Sequence, residues 1–306
     1  MTVLGRMGAA LFAVWLGVTL TFAALRVLPG DAVEARLLQS GASREAIDQR
    51  RTELGLNDSY WTQYARFMLR LLQGDMGHSL LSGQSVSEMI SQRLLPTIML
   101  ASGALLVAVM GGLLLGVLSA LDLPYQVSSL ADLIVNTSLS VPIYWTGTLL
   151  IFVFSAQLHI LPSGGGARPS QLVLPVALLG FHTSGSIARV VHQRISEIKT
   201  APYVLVARSK GLSEFQILLR HILRAGLIPV VATIGLQAGY LLSGTVITES
   251  LFVRPGIGRL LLDATFQQDY PVVQGIVMVS IVIYVLVNTV TDFVYAAVDP
   301  RLSSQA

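Results

Sequence analysis

The sequence predicts an all-α membrane protein with six transmembrane helices. Only 12% of its 306 residues are charged and 53% are hydrophobic, whereas a soluble globular domain carries about 25% charged residues. Six uncharged runs meet or approach the roughly 20 apolar residues that cross a bilayer. Because backbone polar groups in hydrocarbon must pair within their own segment, the runs are expected to be helical. They cover residues 7–25, 96–121, 133–158, 171–188, 225–248 and 271–291.

Two of the six runs depart from the usual pattern. Residues 7–25 follow a short segment with one arginine, as in a signal peptide. The run is longer than a usual signal-peptide core and no small-residue cleavage site follows it, so we expect it to be retained as the first span. Residues 171–188 contain Pro175, Gly180 and His182, and we expect this fourth helix to be kinked or partly broken.

The distribution of basic residues orients the predicted spans. Six spans place both termini on one side of the membrane, and lysine and arginine mark the cytoplasmic side. Residues 189–224 are rich in both, whereas the opposite short segments offer only Arg168, Arg254 and Arg259. Residues 28–95 also contain arginines, but this segment exceeds the roughly 60 residues over which the rule holds. The sequence thus predicts cytoplasmic termini, a cytoplasmic loop at 189–224 and an extracytoplasmic insertion at 28–95, within one domain of residues 1–306.

The insertion is expected to be helical. Asp58 can cap a helix with a broad apolar face. The apolar residues of that face are Tyr60, Trp61, Tyr64, Phe67, Met68 and Leu71. The helix is expected either to lie on the membrane surface or to pack on the outer face of the protein. We favour packing on the protein, because Arg66 and Arg70 alone are a small basic signal for lipid.

The cytoplasmic loop predicts a helix, a turn and a second helix. Residues 203–210 form the first helix, and Gly211 can adopt the left-handed conformation that ends it. Ser213 is positioned to cap the second helix, with Glu214 in its first turn, where the helix dipole favours an anion. A short helix between two spans can dock on another protein and transmit movement to the attached helices. A solvated basic loop that only fixes the topology is the alternative.

The same loop contains three short motifs in order. They are Ala-Arg-Ser-Lys-Gly-Leu at 207–212, Arg-His-Ile-Leu-Arg at 220–224 and Ile-Pro at 228–229. This arrangement resembles the EAA loop of binding-protein-dependent ABC permeases, in the variant of the dipeptide, oligopeptide and nickel importer family. Leu205 and Val206 stand where the general motif has Glu-Ala, so the resemblance is to the subfamily.

Further matches to this family extend over nearly the whole chain. One departure is Ala32, where the family usually has proline. Each motif is short, and their order between six apolar runs makes the resemblance specific. The motifs are Leu-Pro-Gly-Asp at 28–31, Leu-Gly-Leu-Asn-Asp at 54–58, Gly-Asp-Met-Gly-His-Ser at 74–79, Pro-Gly-Ile-Gly-Arg at 255–259, Asp-Tyr-Pro-Val-Val-Gln at 269–274 and Asp-Pro-Arg at 299–301.

The resemblance implies the transmembrane domain of a type I ABC importer in the bacterial inner membrane. Two homologous permeases would form the pore, an extracytoplasmic binding protein would deliver substrate, and two cytoplasmic ATPases would bind ATP and Mg. The implied substrates are di- or oligopeptides, or nickel and other metal chelates. The chain has no Gly-x-x-x-x-Gly-Lys-Ser/Thr phosphate loop, so we expect it to bind no cofactor and catalyse no reaction. The residues expected to contact the ATPases are Tyr203, Ala207, Arg208, Lys210, Gly211, Leu212, Ser213 and Glu214.

Polar residues within the apolar runs are candidates for the translocation path. Such groups also serve as hydrogen bonds between helices, and that alternative stays open. Glu249 and Asp269, at outer ends of runs, are candidates for contact with the binding protein or the substrate. No metal or catalytic site is expected. The absence of cysteine excludes disulfides, thiolate metal sites and a cysteine nucleophile, and the net charge of +3 is too small to indicate nucleic acid. The path candidates are Asn136, Ser140, Gln237 and Ser243.

Two other function classes compete with a permease. An intramembrane serine protease would use His182 with Ser184 or Ser243, but residues two apart on a helix do not face each other, and Ser243 lies in no nucleophile-elbow pattern. An ion-coupled secondary transporter usually carries ionisable residues inside its spans. The apolar runs here contain only His182 of that kind, and His159 directly follows the third run.

Overall fold

The computed structural model describes residues 3–27, 43–53, 55–121, 123–166, 168–243 and 245–298. These ranges form helices and connecting turns, with one isolated backbone bridge between His78 and Ser85. The predicted motifs at 28–31 and 299–301 lie outside the described residues. The helices are α1 (Val3–Val27), α2 (Arg44–Glu53), α3 (Tyr60–Leu72), α4 (Val86–Ala120), α5 (Tyr125–Ser140), α6 (Ile143–Leu150, continued by a π-helical turn at Ile151–Gln157), α7 (Ser170–Lys199), α8 (Pro202–Ser209), α9 (Glu214–Ile217, continued by a π-helical turn at Leu218–Leu223), α10 (Arg224–Ser243), α11 (Val246–Leu251), α12 (Ile257–Phe266) and α13 (Tyr270–Val298).

The predicted apolar runs are mostly helical, and the fifth run, residues 225–248, is divided between α10, which ends at Ser243, and α11, which begins at Val246. Within the described ranges, α4, α7 and α13 are each long and apolar enough to cross a membrane. Helices α5 and α6 pass the same test as a pair, and α1 and α10 contain the shorter apolar stretches Gly8–Ala24 and Pro229–Leu242. The all-helical class is confirmed, whereas the count of six spans and the side on which the termini lie stay predictions.

The third run, residues 133–158, is not one uninterrupted helix as expected. It forms the end of α5 and all of α6, and the two helices are bent by 109° relative to each other. Val141 between them has an extended backbone, with φ −83° and ψ 133°. The cause is Pro142, which has no N–H to donate and forces the preceding residue out of the helical region.

The fourth run forms the central helix of the protein and is not broken. Helix α7 continues through Pro175, which lies close to its start and removes a single hydrogen bond there. The side chains of Leu178, Ile187 and Val191 are fully buried along its length. The helix also continues past the predicted end of the span to Lys199. The first part of the predicted 189–224 loop is therefore a rigid extension of α7.

Glycines allow α4 and α7 to pack with their backbones in close contact. A Cβ atom at Gly116 would lie 2.6 Å from the carbonyl oxygen of Ala188 and 2.6 Å from Cβ of Val191. Small residues at such positions are typical of helix interfaces in membranes, where close packing replaces the hydrophobic driving force. The two helices therefore behave as one packed unit.

We expect Gly116→Ala to lower the thermal midpoint of the purified protein in detergent. Overpacking costs about 1–3 kcal/mol, which exceeds the gain of about 1 kcal/mol from replacing glycine inside a helix. Gly111→Ala is the matched control on the same helix, since its Cβ would lie 3.4 Å from Cβ of Ser184, an ordinary contact. Equal midpoints for the two variants would contradict the close packing.

The amphipathic helix of the insertion, α3, packs on α1. The ring of Phe22 lies 5.4 Å from the ring of Tyr64 and 5.4 Å from that of Phe67, measured between centroids. The hydroxyl groups of Thr19 and Tyr64 are 2.7 Å apart. These contacts support the favoured packing on the protein, although Trp61, which was predicted on the same apolar face, is 83% exposed.

The cap of α3 differs from the expectation. Ser59, not Asp58, caps the helix, and its hydroxyl accepts a hydrogen bond from the Thr62 N–H. Asp58 instead pairs with Arg66 at 2.8 Å. The extracytoplasmic location of the insertion stays a prediction, and its residues 28–42 and 54 lie outside the described part of the chain.

Candidate coupling element and polar cavity

Helix α8 and the turn after it form as the sequence predicts. Pro202 occupies the first helical turn, where its fixed φ favours a helix and its missing N–H is not needed. Gly211 has a φ of +77°, a conformation that costs other L-residues roughly 1–2 kcal/mol. Its N–H donates to the Arg208 carbonyl at 2.9 Å, and the Leu212 N–H donates to the Ala207 carbonyl at 3.3 Å. This pair of hydrogen bonds is a Schellman motif, which ends the helix sharply.

The next helix, α9, begins with a capping box. The Ser213 hydroxyl accepts a hydrogen bond from the Gln216 N–H at 3.3 Å. In return, the Gln216 side chain accepts from the Ser213 N–H at 3.4 Å. Both bonds satisfy N–H groups that a helix start leaves without partners. The predicted cap at Ser213, with Glu214 in the first turn, is therefore confirmed.

An ion pair joins α8 to α9 across the turn. Nε and one terminal nitrogen of Arg208 donate to the two carboxylate oxygens of Glu214, at 2.8 Å and 3.0 Å. A two-point contact of this kind fixes the relative orientation of the two groups. Two of the residues predicted to contact the ATPases thus hold the element itself together.

The inner face of the element is anchored in the protein core. Val204, Ala207 and Ile217 are buried in one apolar cluster with Ile195 of α7 and Val230 of α10. Leu212 packs against the same cluster. Ala207 and Leu212, also predicted as ATPase contacts, therefore face inward. Because α8 shares a core with α7 and α10, any movement of α8 is transmitted to both.

The outer face of the element is apolar and exposed. Leu205 is 54% exposed, and Tyr203, Val206 and Phe215 are exposed as well. Of these four residues only Tyr203 was predicted from the sequence. Helical periodicity could have indicated Leu205 and Val206, because they lie on the side of the helix opposite to the buried Val204 and Ala207. The predicted residues Lys210, Gly211 and Ser213 are also exposed at the turn.

Only one of the four path candidates lines a cavity that we identify. This cavity has a volume of about 220 Å³ and lies between α4, α5 and α7. Asn136 lines it, whereas Ser140 is exposed on the same helix and Gln237 is partly buried on α10. Ser243 ends α10, and its side chain lies outside the described part of the structure. The other lining residues are Ser119, Asp132, Val135, Ala188, Arg189 and His192.

Glu249 is buried inside the protein, contrary to the suggestion that it contacts the binding protein or substrate. Its side chain is 0% exposed. Its carboxylate accepts hydrogen bonds from Thr97 Oγ1 at 2.6 Å, Thr245 Oγ1 at 2.9 Å and the Arg259 N–H at 3.1 Å. Thr97 in turn accepts from the Ile257 N–H at 2.9 Å. The carboxylate thus fixes the start of α12 against α4.

Arg254 and Asp269 are buried nearby and also hold loops together. A terminal nitrogen of Arg254 donates to the carbonyls of Gly165 and Gln171, at 3.3 Å and 3.4 Å. Burial lowers the pKa of the Arg254 guanidinium, and the charge of Glu249 opposes that shift. Asp269 accepts hydrogen bonds from the Ser79 hydroxyl and from the Leu80 N–H. Asp269, the second suggested contact, is therefore also an internal residue.

Of the residues proposed for a serine protease, His182 and Ser184 do not contact each other, and the side chain of Ser243 lies outside the described part of the structure. Nε2 of His182 lies 3.2 Å from Oγ1 of Thr146, and the Ser184 hydroxyl donates to the Phe181 carbonyl. A serine–histidine contact does occur in the cavity, where Oγ of Ser119 lies 2.9 Å from Nδ1 of His192. Among the described residues, no carboxylate hydrogen bonds to that histidine, so the contact lacks the third member of a catalytic triad.

Comparisons with known proteins agree with this arrangement. Residues 112–304 match the family described as binding-protein-dependent transport system inner membrane component. The glutathione transport system permease protein GsiC of Salmonella typhimurium is 36% identical over 284 residues, which cover 92% of each chain. The protein of the same name from Escherichia coli K12 is 34% identical over the same coverage.

Two solved transporters share the fold. A chain of the MetNI methionine ABC transporter in an inward-facing conformation aligns with a TM-score of 0.58 at 19% identity, over 70% of this chain and 97% of that one. A chain of an amino acid ABC transporter aligns with a TM-score of 0.53 at 16% identity, over 70% and 94% of the two chains. The protein therefore belongs to the binding-protein-dependent inner membrane components, and it has the fold of a type I ABC importer permease.

Proposed function

We propose that this permease imports small peptides across the bacterial inner membrane, in a complex that hydrolyses ATP on other subunits. The observation that carries the proposal is the α8–α9 element, which has an exposed apolar outer face and an inner face buried against α7 and α10. The identity to permeases named for glutathione supports a peptide of that size as the substrate. Nickel and other metal chelates are the competing substrates.

The proposed assembly contains four kinds of subunit. A second, homologous permease completes the pore, and an extracytoplasmic binding protein delivers the substrate. Two cytoplasmic ATPases bind ATP and Mg, because this chain carries no phosphate loop. The chain itself is a transporter subunit and not an enzyme. This arrangement requires the cytoplasmic location of residues 189–224, which the positive-inside rule supports.

Coupling proceeds through rigid-body movement. When the ATPases close on ATP, they move α8 through its outer face, which Leu205, Val206 and Phe215 form together with Tyr203 and the turn at Lys210–Ser213. Helices α7 and α10 follow because they share a packed core with α8. A packed core transmits such a shift as a discrete rearrangement, and α7 forms one wall of the polar cavity.

The test is transport by the complex purified from its host membranes through a tag on this chain. In proteoliposomes with the binding protein added, we expect uptake of radiolabelled glutathione or a dipeptide that depends on ATP and Mg. Labelled nickel is the control substrate. Uptake driven by an ion gradient after the ATPase is inactivated would favour a secondary transporter, and uptake of nickel without any peptide would overturn the peptide assignment.

A further inference from the structure

The cavity between α4, α5 and α7 has an acidic wall and a basic wall. Asp132 and Asn136 are four residues apart on α5, so their side chains share one face of that helix. Arg189 and His192 are three residues apart on α7 and likewise share a face. The cavity therefore lies between a carboxylate with an amide on one helix and a guanidinium with an imidazole on the other.

The two opposite charges of this cavity are not paired with each other. Within the described part of the chain, neither Asp132 nor Arg189 forms an ion pair or a hydrogen bond through its side chain. Arginines elsewhere on the same side of the protein do find carboxylates, as Arg194 does with Glu197 at 2.8 Å. Both side chains are exposed and lie directly outside the predicted spans 133–158 and 171–188, so each charge is accessible to a ligand that enters the cavity. An unpaired acid and base across one cavity match a ligand that carries both charges.

The lining and the size of the cavity indicate which ligand fits. Five of the seven lining residues are polar, and only Val135 and Ala188 are apolar. That composition suits a hydrated peptide better than the acyl chains of a lipid. Whole small-molecule ligands occupy pockets of about 300–1,000 Å³, whereas this cavity has about 220 Å³. It has room for one end of a peptide.

We propose that this cavity is a subsite on the exit side of the path and holds a zwitterionic end of the transported peptide. Asp132 faces the ammonium group and Arg189 faces the carboxylate, while Asn136 supplies a neutral hydrogen-bonding group. This inference rests on the proposed function and adds a substrate class to it. The glutamyl end of glutathione carries an ammonium and a carboxylate on one carbon atom and is the simplest probe of that class.

The subsite is linked to the coupling element. Helix α7 carries Arg189 and His192 and ends at Lys199, directly before α8. Movement of α8 therefore changes the distance between the basic wall on α7 and the acidic wall on α5. Holding the peptide end requires both walls at once, so separation of the walls releases it.

The test measures binding without the binding protein, whose own selectivity would otherwise dominate. Radiolabelled glutathione is bound to the nucleotide-free complex in nanodiscs and displaced by three probes. They are glutathione, N-acetylglutathione, which lacks the ammonium charge, and glutathione diethyl ester, which lacks both carboxylates. We expect each modified probe to compete about ten-fold more weakly than glutathione, the typical loss for one hydrogen-bonded charge.

Two variants assign the two charges. Asp132→Asn is expected to bind glutathione about ten-fold more weakly and to stop discriminating against N-acetylglutathione, while it still discriminates against the ester. Arg189→Gln is expected to give the reverse pattern. Arg194→Gln is the matched control, because Arg194 lies on the same helix and pairs with Glu197 outside the cavity. It should leave all three affinities unchanged.

The outcomes separate this inference from the proposed function. Equal competition by the three probes on the unmodified complex, or no binding of glutathione, would overturn the subsite while ATP-driven peptide uptake still stood. Loss of co-purified phosphatidylethanolamine in Arg189→Gln, with unchanged probe discrimination, would assign the cavity to a lipid headgroup. Because the probe comparison needs only the unmodified complex, a variant that fails to fold does not prevent the test.

Discussion

Replacing Glu249 by leucine is expected to prevent most of the protein from accumulating in a folded form. The substitution removes the acceptor for Thr97, Thr245 and the Arg259 N–H, and each buried donor left without a partner costs about 1–3 kcal/mol. It also removes the negative charge of Glu249, which favours the charged form of the buried Arg254. Native proteins are stable by only about 5–15 kcal/mol. The yield of monodisperse protein after detergent extraction measures the effect.

A second substitution and a control define the cause. Glu249→Gln keeps the shape and one oxygen acceptor, so we expect a smaller loss and a reduced thermal midpoint. Glu197→Leu removes an exposed carboxylate that pairs with Arg194 at 2.8 Å, and exposed pairs contribute about 0–1 kcal/mol. It should behave almost like the unmodified protein. If Glu249→Leu extracted with normal yield and midpoint, the buried network would have no structural role.

Local chemistry explains which parts of the structure the sequence predicted correctly. The end of α8 at Gly211 and the cap at Ser213 depend on residues within five positions of each other, and both were predicted. The break at Pro142 was also visible in the sequence. It was missed because residues 133–158 form one uncharged run, which a proline does not interrupt by charge. Helix existence follows from composition, whereas a bend depends on one residue.

The function of charged residues at the ends of the runs required the three-dimensional structure. Glu249 was a candidate for contact with the binding protein or the substrate because it lies at the outer end of an apolar run. Its partner Thr97 is 152 positions away in sequence, so no local pattern shows that the charge is satisfied inside. The cavity also could not be predicted from a local pattern, because Asp132 and Arg189 come together only through the packing of α5 on α7. Of these cavity residues only Asn136 was predicted from the sequence, and neither charged residue was.

Replacing Leu205 by aspartate is expected to separate the permease from its ATPases without unfolding it. Leu205 is 54% exposed on the outer face of α8, so the substitution should change the free energy of unfolding by no more than about 0.5 kcal/mol. An aspartate in the centre of an apolar contact is buried without a partner on binding, and losses of about 2 kcal/mol or more at such positions weaken binding roughly 30-fold. The amount of ATPase that co-purifies with this chain measures the loss.

Two further variants show whether position or charge causes the effect. Leu69→Asp introduces the same charge at a leucine that is 60% exposed on α3, in the insertion predicted to lie outside, and it should retain the ATPases. Val204→Asp alters the neighbouring residue, which is 0% exposed, and should reduce the yield of folded protein. If α8 couples the permease to the ATPases, its outer face binds them and its inner face packs in the core. Substitution of Leu205 should then release the ATPases, whereas substitution of the adjacent Val204 should impair folding. Full ATPase recovery with Leu205→Asp would show that the basic loop only orients the protein in the membrane.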